Sequence, residues 1–221
     1  MLEHALPLID GLVVGSSRLD DTHLRQLAKE IPVIVLNRVV NGLPSIIADN
    51  ARGMRRAIEH LAVLGHRVIW YAAGPDASWA NGARYRALRE ASLELDIVEH
   101  RVGPYPPTVQ GGAQAADALL ERGARAVIAY NDLMAIGVMR RLQAKGVRVP
   151  QDVSVIGFDD SFGSDLVTPG LTTVAAPLVR LGELAMVNVV GMVDGNRWRG
   201  SEPIVVPVAL RERESTAPPR A

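Results

Sequence analysis

Short apolar runs that end in polar residues, each followed by a longer stretch at helical spacing, recur from one end of this chain to the other. That alternation restricts the fold more than any other feature. A short, continuously apolar run suits a strand buried on both faces, and such strands lie in parallel sheets that need helical crossovers. The strand-like runs are Gly11–Gly15, Pro32–Leu36, Ser45–Ala48, Val68–Ala73, Ile97–Val102, Ala126–Tyr130, Val153–Phe158, Leu171–Val174 and Ile204–Leu210. Between them, helical spacing runs from Asp20 or Asp21 to Glu30, from Met54 to Ala62 with Gly65 as its stop, and over Trp79–Leu95, Gln110–Arg122, Leu133–Lys145 and Pro177–Val193. The pattern predicts a doubly wound α/β fold with parallel sheets. The final segment, 214–221, holds Pro218 and Pro219 and reads as a loose tail.

Composition removes several classes of function. The 221 residues carry 24 Lys and Arg against 24 Asp and Glu, whereas a domain that grips a DNA backbone by itself is usually basic. There are no cysteines, so disulfides and thiolate metal sites are excluded. The longest uncharged stretch, near Ala185–Val193, is too short to span a bilayer. The first residues, MLEHALPLIDG, lack the basic opening of a signal peptide, so the cytoplasm is the simplest compartment.

Polar residues stand at the carboxyl ends of the expected strands: Ser16, Asn37–Arg38, Asp49, Asp76, Asn131–Asp132 and Asp159–Asp160. In a parallel sheet these ends meet on one side, where open α/β folds bind ligands. Asp, Asn and Arg can hold vicinal hydroxyls in a bidentate way, and an aromatic face can cover the apolar side of a ring. Sugars, polyols and nucleobases therefore suit the set. Singly, Asp49 and Asp132 are equally well placed to cap the helices that follow. Trp79 near the rim fits ring stacking and packing at a helix start alike.

Enzyme readings find little support. Asp159 and Asp160, adjacent on an extended segment, should point to opposite faces and make no acid–base pair. His4, His23, His60, His66 and His100 are dispersed without metal-ligand spacing, and no nucleophile elbow, Walker A or dinucleotide fingerprint is present. No cofactor or metal is expected, and His66 reads as a packing residue between helix and strand.

The stretch Pro177–Val193 is apolar over most of its circumference. Leu178, Leu181, Leu184, Ala185 and Met192 make one stripe, while Val179, Met186, Val189, Val190 and Val193 fill much of the rest. Its own sheet would cover one side; a second subunit, or a neighbouring loop, would cover the other. The candidate dimer contacts are Leu178, Leu181, Met186, Val189 and Val190.

The run VSVIGFDDSFGSDLVTPGLTTV at Val153–Val174 contains a V-x-G-[FY]-D-D strand and then P-x-L-T-T-V. With DGLVVGSS, the D-N-x-x-G…H-L-x-x-L-G-H-R run at Asp49–Arg67, A-G-P at Ala73–Pro75, N-D-x-M-A-x-G at Asn131–Gly137 and G-x-x-V-P-x-D-V-S-V at Gly146–Val155, it resembles the effector-binding core of the LacI/GalR family of transcription regulators. The resemblance runs from about Asp10 to Arg213 and implies two Rossmann-like lobes: 1–48 with 176–205, and 49–175 with 206–213. It implies a sugar-like or nucleobase-like effector in the cleft between lobes, a homodimer, and DNA contact only through a helix-turn-helix headpiece that this sequence does not contain. Residue by residue, Arg84, Asn131 and Asp159 match effector contacts. Asn37 falls where an effector-contacting aspartate is common, and Tyr105 where an aromatic wall is common. Ser16, Asp49 and Trp79 complete the candidate set. Ala176 lies where some members have a polar contact that alanine cannot supply. Arg84→Ala is expected to weaken binding with little change in stability. The first two βα units of the N-terminal lobe have no counterpart, so that lobe is expected to be incomplete, with Gly11–Gly15 an open edge and the C-terminal lobe the stable unit. A sugar-binding protein of a transporter shares the fold and is the alternative; it should carry an export signal and usually lacks P-x-L-T-T.

Overall fold

The computed structural model describes residues 6–17, 19–196, 198, 200 and 202–220. The chain divides into two compact units, Met1–Asp49 with Pro177–Pro207, and Asn50–Ala176 with Val208–Ala221.

The first unit holds a four-stranded parallel sheet in the order β1 (Leu12–Gly15), β2 (Val33–Leu36), β3 (Ser45–Ala48) and β9 (Ile204–Val206). Helix α1 (Asp21–Leu27) starts where Asp20 accepts the His23 amide at 2.8 Å. It buries Leu24 and Leu27 in a cluster with Val33, Val35 and Val40. Helix α6 (Leu178–Val193) packs on β1, β2 and β3. The approach is close: a Cβ on Gly11 would stand 2.8 Å from Val189 Cγ2, so glycine lets the helix settle on the sheet. Among the described residues β1 pairs only with β2, which makes it the expected edge.

The second unit holds six strands in the order β10 (Ala209–Arg211), β8 (Thr172–Ala175), β7 (Ser154–Phe158), β6 (Ala126–Ala129), β4 (Val68–Ala72) and β5 (Val98–Val102). All neighbours are parallel except β10, which runs antiparallel to β8. On one face α4 (Val109–Glu121) and α5 (Asp132–Ala144) bury Ala115, Leu119, Met134, Val138 and Leu142 against Ala72, Val127 and Val155. On the other lie α2 (Asn50–Val63) and α3 (Trp79–Glu94), the side toward which the alternate residues Tyr71 and Phe158 point. Glycines permit both contacts. A Cβ on Gly112 would lie 2.0 Å from the Met134 carbonyl oxygen, and one on Gly53 would lie 2.7 Å from Val174.

Two expectations change here. Ile204–Leu210 is not one strand: Pro207 has no N–H to donate, and the chain leaves β9 in one unit to form β10 in the other. Nor are the described residues of that final segment, 214–220, loose. Ser215 is fully buried; its Oγ accepts the Thr172 amide at 2.8 Å and donates to the Val155 carbonyl at 2.6 Å. The Ala217 amide donates to Ser154 Oγ at 3.0 Å, and Arg220 pairs with Asp152 at 3.0 Å. The Val155 backbone of β7 lies before its pairing with β8 begins at Ile156, and this segment supplies its partner.

His66 belongs to that arrangement. Its Nε2 lies 3.1 Å from Ser154 Oγ and 3.0 Å from the Ala217 carbonyl, and burial lowers its pKa. It packs between helix end and strand as its position after α2 suggested.

Candidate functional site

The second unit brings Arg84 and Asp159 together at the carboxyl edge of its sheet. Strand β7 delivers Phe158 inward and Asp159 at the rim, and the next residues leave the extended conformation. Asp159 has φ +107° and Asp160 φ +53°, both in the region that disfavours side chains, while the Asp159 amide still donates to Val174 at 2.8 Å. The two carboxylates diverge. Asp159 accepts from Arg84 Nη2 at 3.0 Å, whereas Asp160 is pinned by Arg211 at 3.1 Å and Arg213 at 2.8 Å. The expected separation holds, but a left-handed turn produces it rather than an extended alternation.

Arg84 lies on the second turn of α3 and is 6% exposed. A buried guanidinium needs partners on every side, and it has them. Nε donates to Asn50 Oδ1 at 2.9 Å, Nη1 donates to the Tyr130 carbonyl, and the plane lies 3.5 Å from the Phe158 ring centroid. The Asp159 side chain keeps 30% exposure. Burial raises its pKa against the pull of Arg84. Its Oδ2 makes no hydrogen bond among the described residues.

Asn131 caps α5, accepting the Met134 amide at 3.0 Å, with Nδ2 3.5 Å from the Pro107 carbonyl. Asp132 is therefore not the cap. It is 1% exposed, accepts from Thr173 Oγ1 and from the Ser161 amide at 2.5 Å each, and burial pushes its pKa up to about 6. Tyr105 is half-buried against the core after β5, its amide bonded to the Ala73 carbonyl at 3.0 Å. Trp79 is half-buried at the first residue of α3, behind the Ser78 cap. Asp76 pairs with Arg101 at 2.5 Å on the surface.

In the first unit Ser16, Asn37 and Asp49 follow β1, β2 and β3, so they share the carboxyl edge of that sheet. Ser16 and Asn37 both have positive φ, +47° and +57°. Arg38 is spent on structure, donating to the Ser17 and Leu19 carbonyls and to Asp21.

Of the α6 residues, Leu178, Met186 and Val190 are 47%, 55% and 50% exposed. Leu181 and Val189 are buried and face the unit's own sheet, so they leave the candidate dimer surface. Val179 and Val187 join it.

Sequence reasoning missed Asn50, Phe158 and Tyr130 as supports of this edge, and it placed Asp132 there only as a strand-end pocket group or a helix cap. The first two had a signal, since Asn50 is the N of D-N-x-x-G and Phe158 the aromatic of G-[FY]-D-D. It also missed an exposed apolar group, Leu133, Phe162 and Leu166, at the start of α5 and in the loop after β7. No group of three metal-ligating side chains is present among the described residues, and none of their helices is long and apolar enough to cross a membrane.

Residues 58–216 match the family of periplasmic binding protein-like domains. The HTH-type transcriptional regulator GalR of Escherichia coli is 32% identical over 217 residues, 94% of this chain and 63% of its own length. The chain spans about half to two thirds of the length of the curated relatives it matches. A LacI family transcriptional regulator from Enterococcus faecium with bound ribose shares the fold with a TM-score of 0.89 at 29% identity, covering 99% of this chain and 83% of that one. The lac repressor dimer bound to operator and the anti-inducer ONPF gives 0.86 at 27% identity, with 98% and 77% covered. The chain belongs to the periplasmic binding protein-like domain family, in the form of a LacI/GalR effector-binding core.

Proposed function

We propose that this chain binds a small polyhydroxylated effector, a sugar or a close chemical relative, and that occupancy controls DNA binding in a LacI/GalR-type regulator. The observation that carries the reading is the Arg84–Asp159 pair. A guanidinium held by Asn50, Tyr130 and Phe158 presents a carboxylate with one oxygen uncommitted, at the edge where parallel sheets bind ligands. Such a pair offers a donor and an acceptor to adjacent hydroxyls without reorganising. Asn131, Tyr105 and Trp79 of the same unit are the further proposed contacts; Ser16, Asn37 and Asp49 are candidates at the carboxyl edge of their own unit's sheet. The role is binding rather than catalysis, since neither carboxylate of the pair after β7 is placed to work with the other.

The bound ribose of the E. faecium regulator supports the ligand class. Self-association is part of the proposal: the exposed α6 face of Leu178, Met186 and Val190 is apolar enough to want a partner, and the lac repressor relative is a dimer. Thermal-shift screening against pentoses, hexoses, polyols and nucleobases tests the ligand class. A ligand that binds only the folded chain raises its midpoint, and a flat response across all the sugars and polyols would contradict the proposal.

A further inference from the structure

Asp132 is the most deeply buried carboxylate near the candidate site, and none of the contacts proposed above uses it. Its two oxygens are both engaged, and by different elements. Oδ1 accepts from Thr173 Oγ1 in β8, and Oδ2 accepts from the Ser161 amide in the turn that follows β7. To reach both, the side chain passes over β7 at Gly157, where a Cβ would stand 2.2 Å from Oδ1. Glycine at that point of the strand leaves room for this carboxylate. The Ser161 bond closes the turn from one end, and the Asp159 amide, bonded to Val174, closes it from the other. Between these ties sit the two residues with positive φ, of which Asp159 presents its side chain to Arg84.

We propose that Asp132 is a positioning residue of the candidate effector site: by bridging Thr173 and the Ser161 amide it holds the Asp159–Ser161 turn in the conformation that places Asp159 on Arg84. The proposal rests on the reading of Arg84 and Asp159 as ligand contacts. What Asp132 supplies is shape and hydrogen bonding. An asparagine can accept from Ser161 through Oδ1 and donate to Thr173 through Nδ2, because the threonine hydroxyl both accepts and donates. An alanine leaves both donors unsatisfied and the turn released.

The test is NMR exchange of the Arg84 Nε–H with water, measured without ligand in the wild-type chain, Asp132→Ala, Asp132→Asn, Thr173→Val and Leu142→Ala. The last is a core variant away from the turn that controls for lost stability alone. Asp132→Ala is expected to speed exchange about tenfold or more, and Thr173→Val by a smaller factor, with Asp132→Asn and Leu142→Ala close to wild type. Should Asp132→Ala fail to fold, Thr173→Val against Leu142→Ala decides. Wild-type exchange in a folded Asp132→Ala or Thr173→Val chain, or equal acceleration in Leu142→Ala, overturns the proposal. Titration with D-ribose adds the binding arm. If the wild-type chain binds it, Asp132→Ala should weaken the affinity about tenfold or more and Asp132→Asn should restore it. No binding by the wild-type chain counts against ribose as effector, while the exchange comparison still decides the role of Asp132.

Discussion

The guanidinium of Arg84 lies 3.5 Å from the centroid of the Phe158 ring, and the residue after Phe158 is the carboxylate that Arg84 holds. Strand β7 thus supplies both the floor and the counter-ion of one buried cation. The consequence alters an expectation from the sequence. Arg84→Ala was expected to spare stability, but it would leave Asp159 and Asn50 without a donor that both use. We predict a loss of about 2–4 kcal/mol in chemical denaturation, and no full recovery in Arg84→Lys, whose ammonium cannot reproduce the fork. A folded Arg84→Ala chain of wild-type stability would contradict the packing described here.

Acidity should act on Asp132 with a definite sign. Its carboxyl titrates near 6 in the folded chain against 3.8 for a free aspartate, because burial disfavours the charge. The stability it contributes is full below about pH 3.8 and is lost as pH rises through about 6. The span is worth about 3 kcal/mol at most. Urea titrations at several pH values should show wild type gaining on Asp132→Asn as pH falls from 7 to 4. Parallel curves would show that the carboxyl is not desolvated.

The C-terminal segment offers a separate check. Deleting residues 215–221 removes the buried Ser215 bridge between Thr172 and Val155 and the Ala217 contact with His66. A cost of about 2–5 kcal/mol follows from two or three buried hydrogen bonds losing a partner. A truncated chain with an unchanged urea midpoint would restore the loose tail read from its prolines.

Much of this was legible because parallel strands announce themselves. Ser45–Ala48 and the start of α3 at Trp79 fall where the apolar pattern places them, since burial on both faces leaves no room for polar residues. The motifs singled out Arg84 and Asp159 one at a time; that the two side chains meet came from the structure. The features that escaped depend on contacts distant in sequence. Nothing local reveals that Pro207 divides two sheets, that Ser215 partners the Val155 backbone of β7, or that Gly157 makes room for Asp132. Nor does periodicity decide which stripe of α6 faces its sheet when both are apolar; the 2.8 Å approach of Val189 to the Gly11 position decides it.

Two surfaces compete as the site of self-association. The proposal favours α6, so Met186→Asp with Val190→Asp should shift sedimentation toward monomer at micromolar concentration, while Phe162→Asp should not. The opposite pattern would move the interface to the loop after β7. A monomeric wild-type chain would remove it altogether.

The central claim is that Arg84 and Asp159 receive a polyhydroxylated ligand. The most direct measurement is calorimetric titration of the wild-type chain and of Asp159→Asn with the sugar that gives the largest thermal shift. Asp159→Asn keeps the side-chain shape and an acceptor for Arg84 but loses the charge that strengthens a hydroxyl's hydrogen bond. The account predicts saturable binding by the wild-type chain, weakened in Asp159→Asn by about tenfold to a hundredfold at unchanged fold. Equal affinity in the two chains would contradict it.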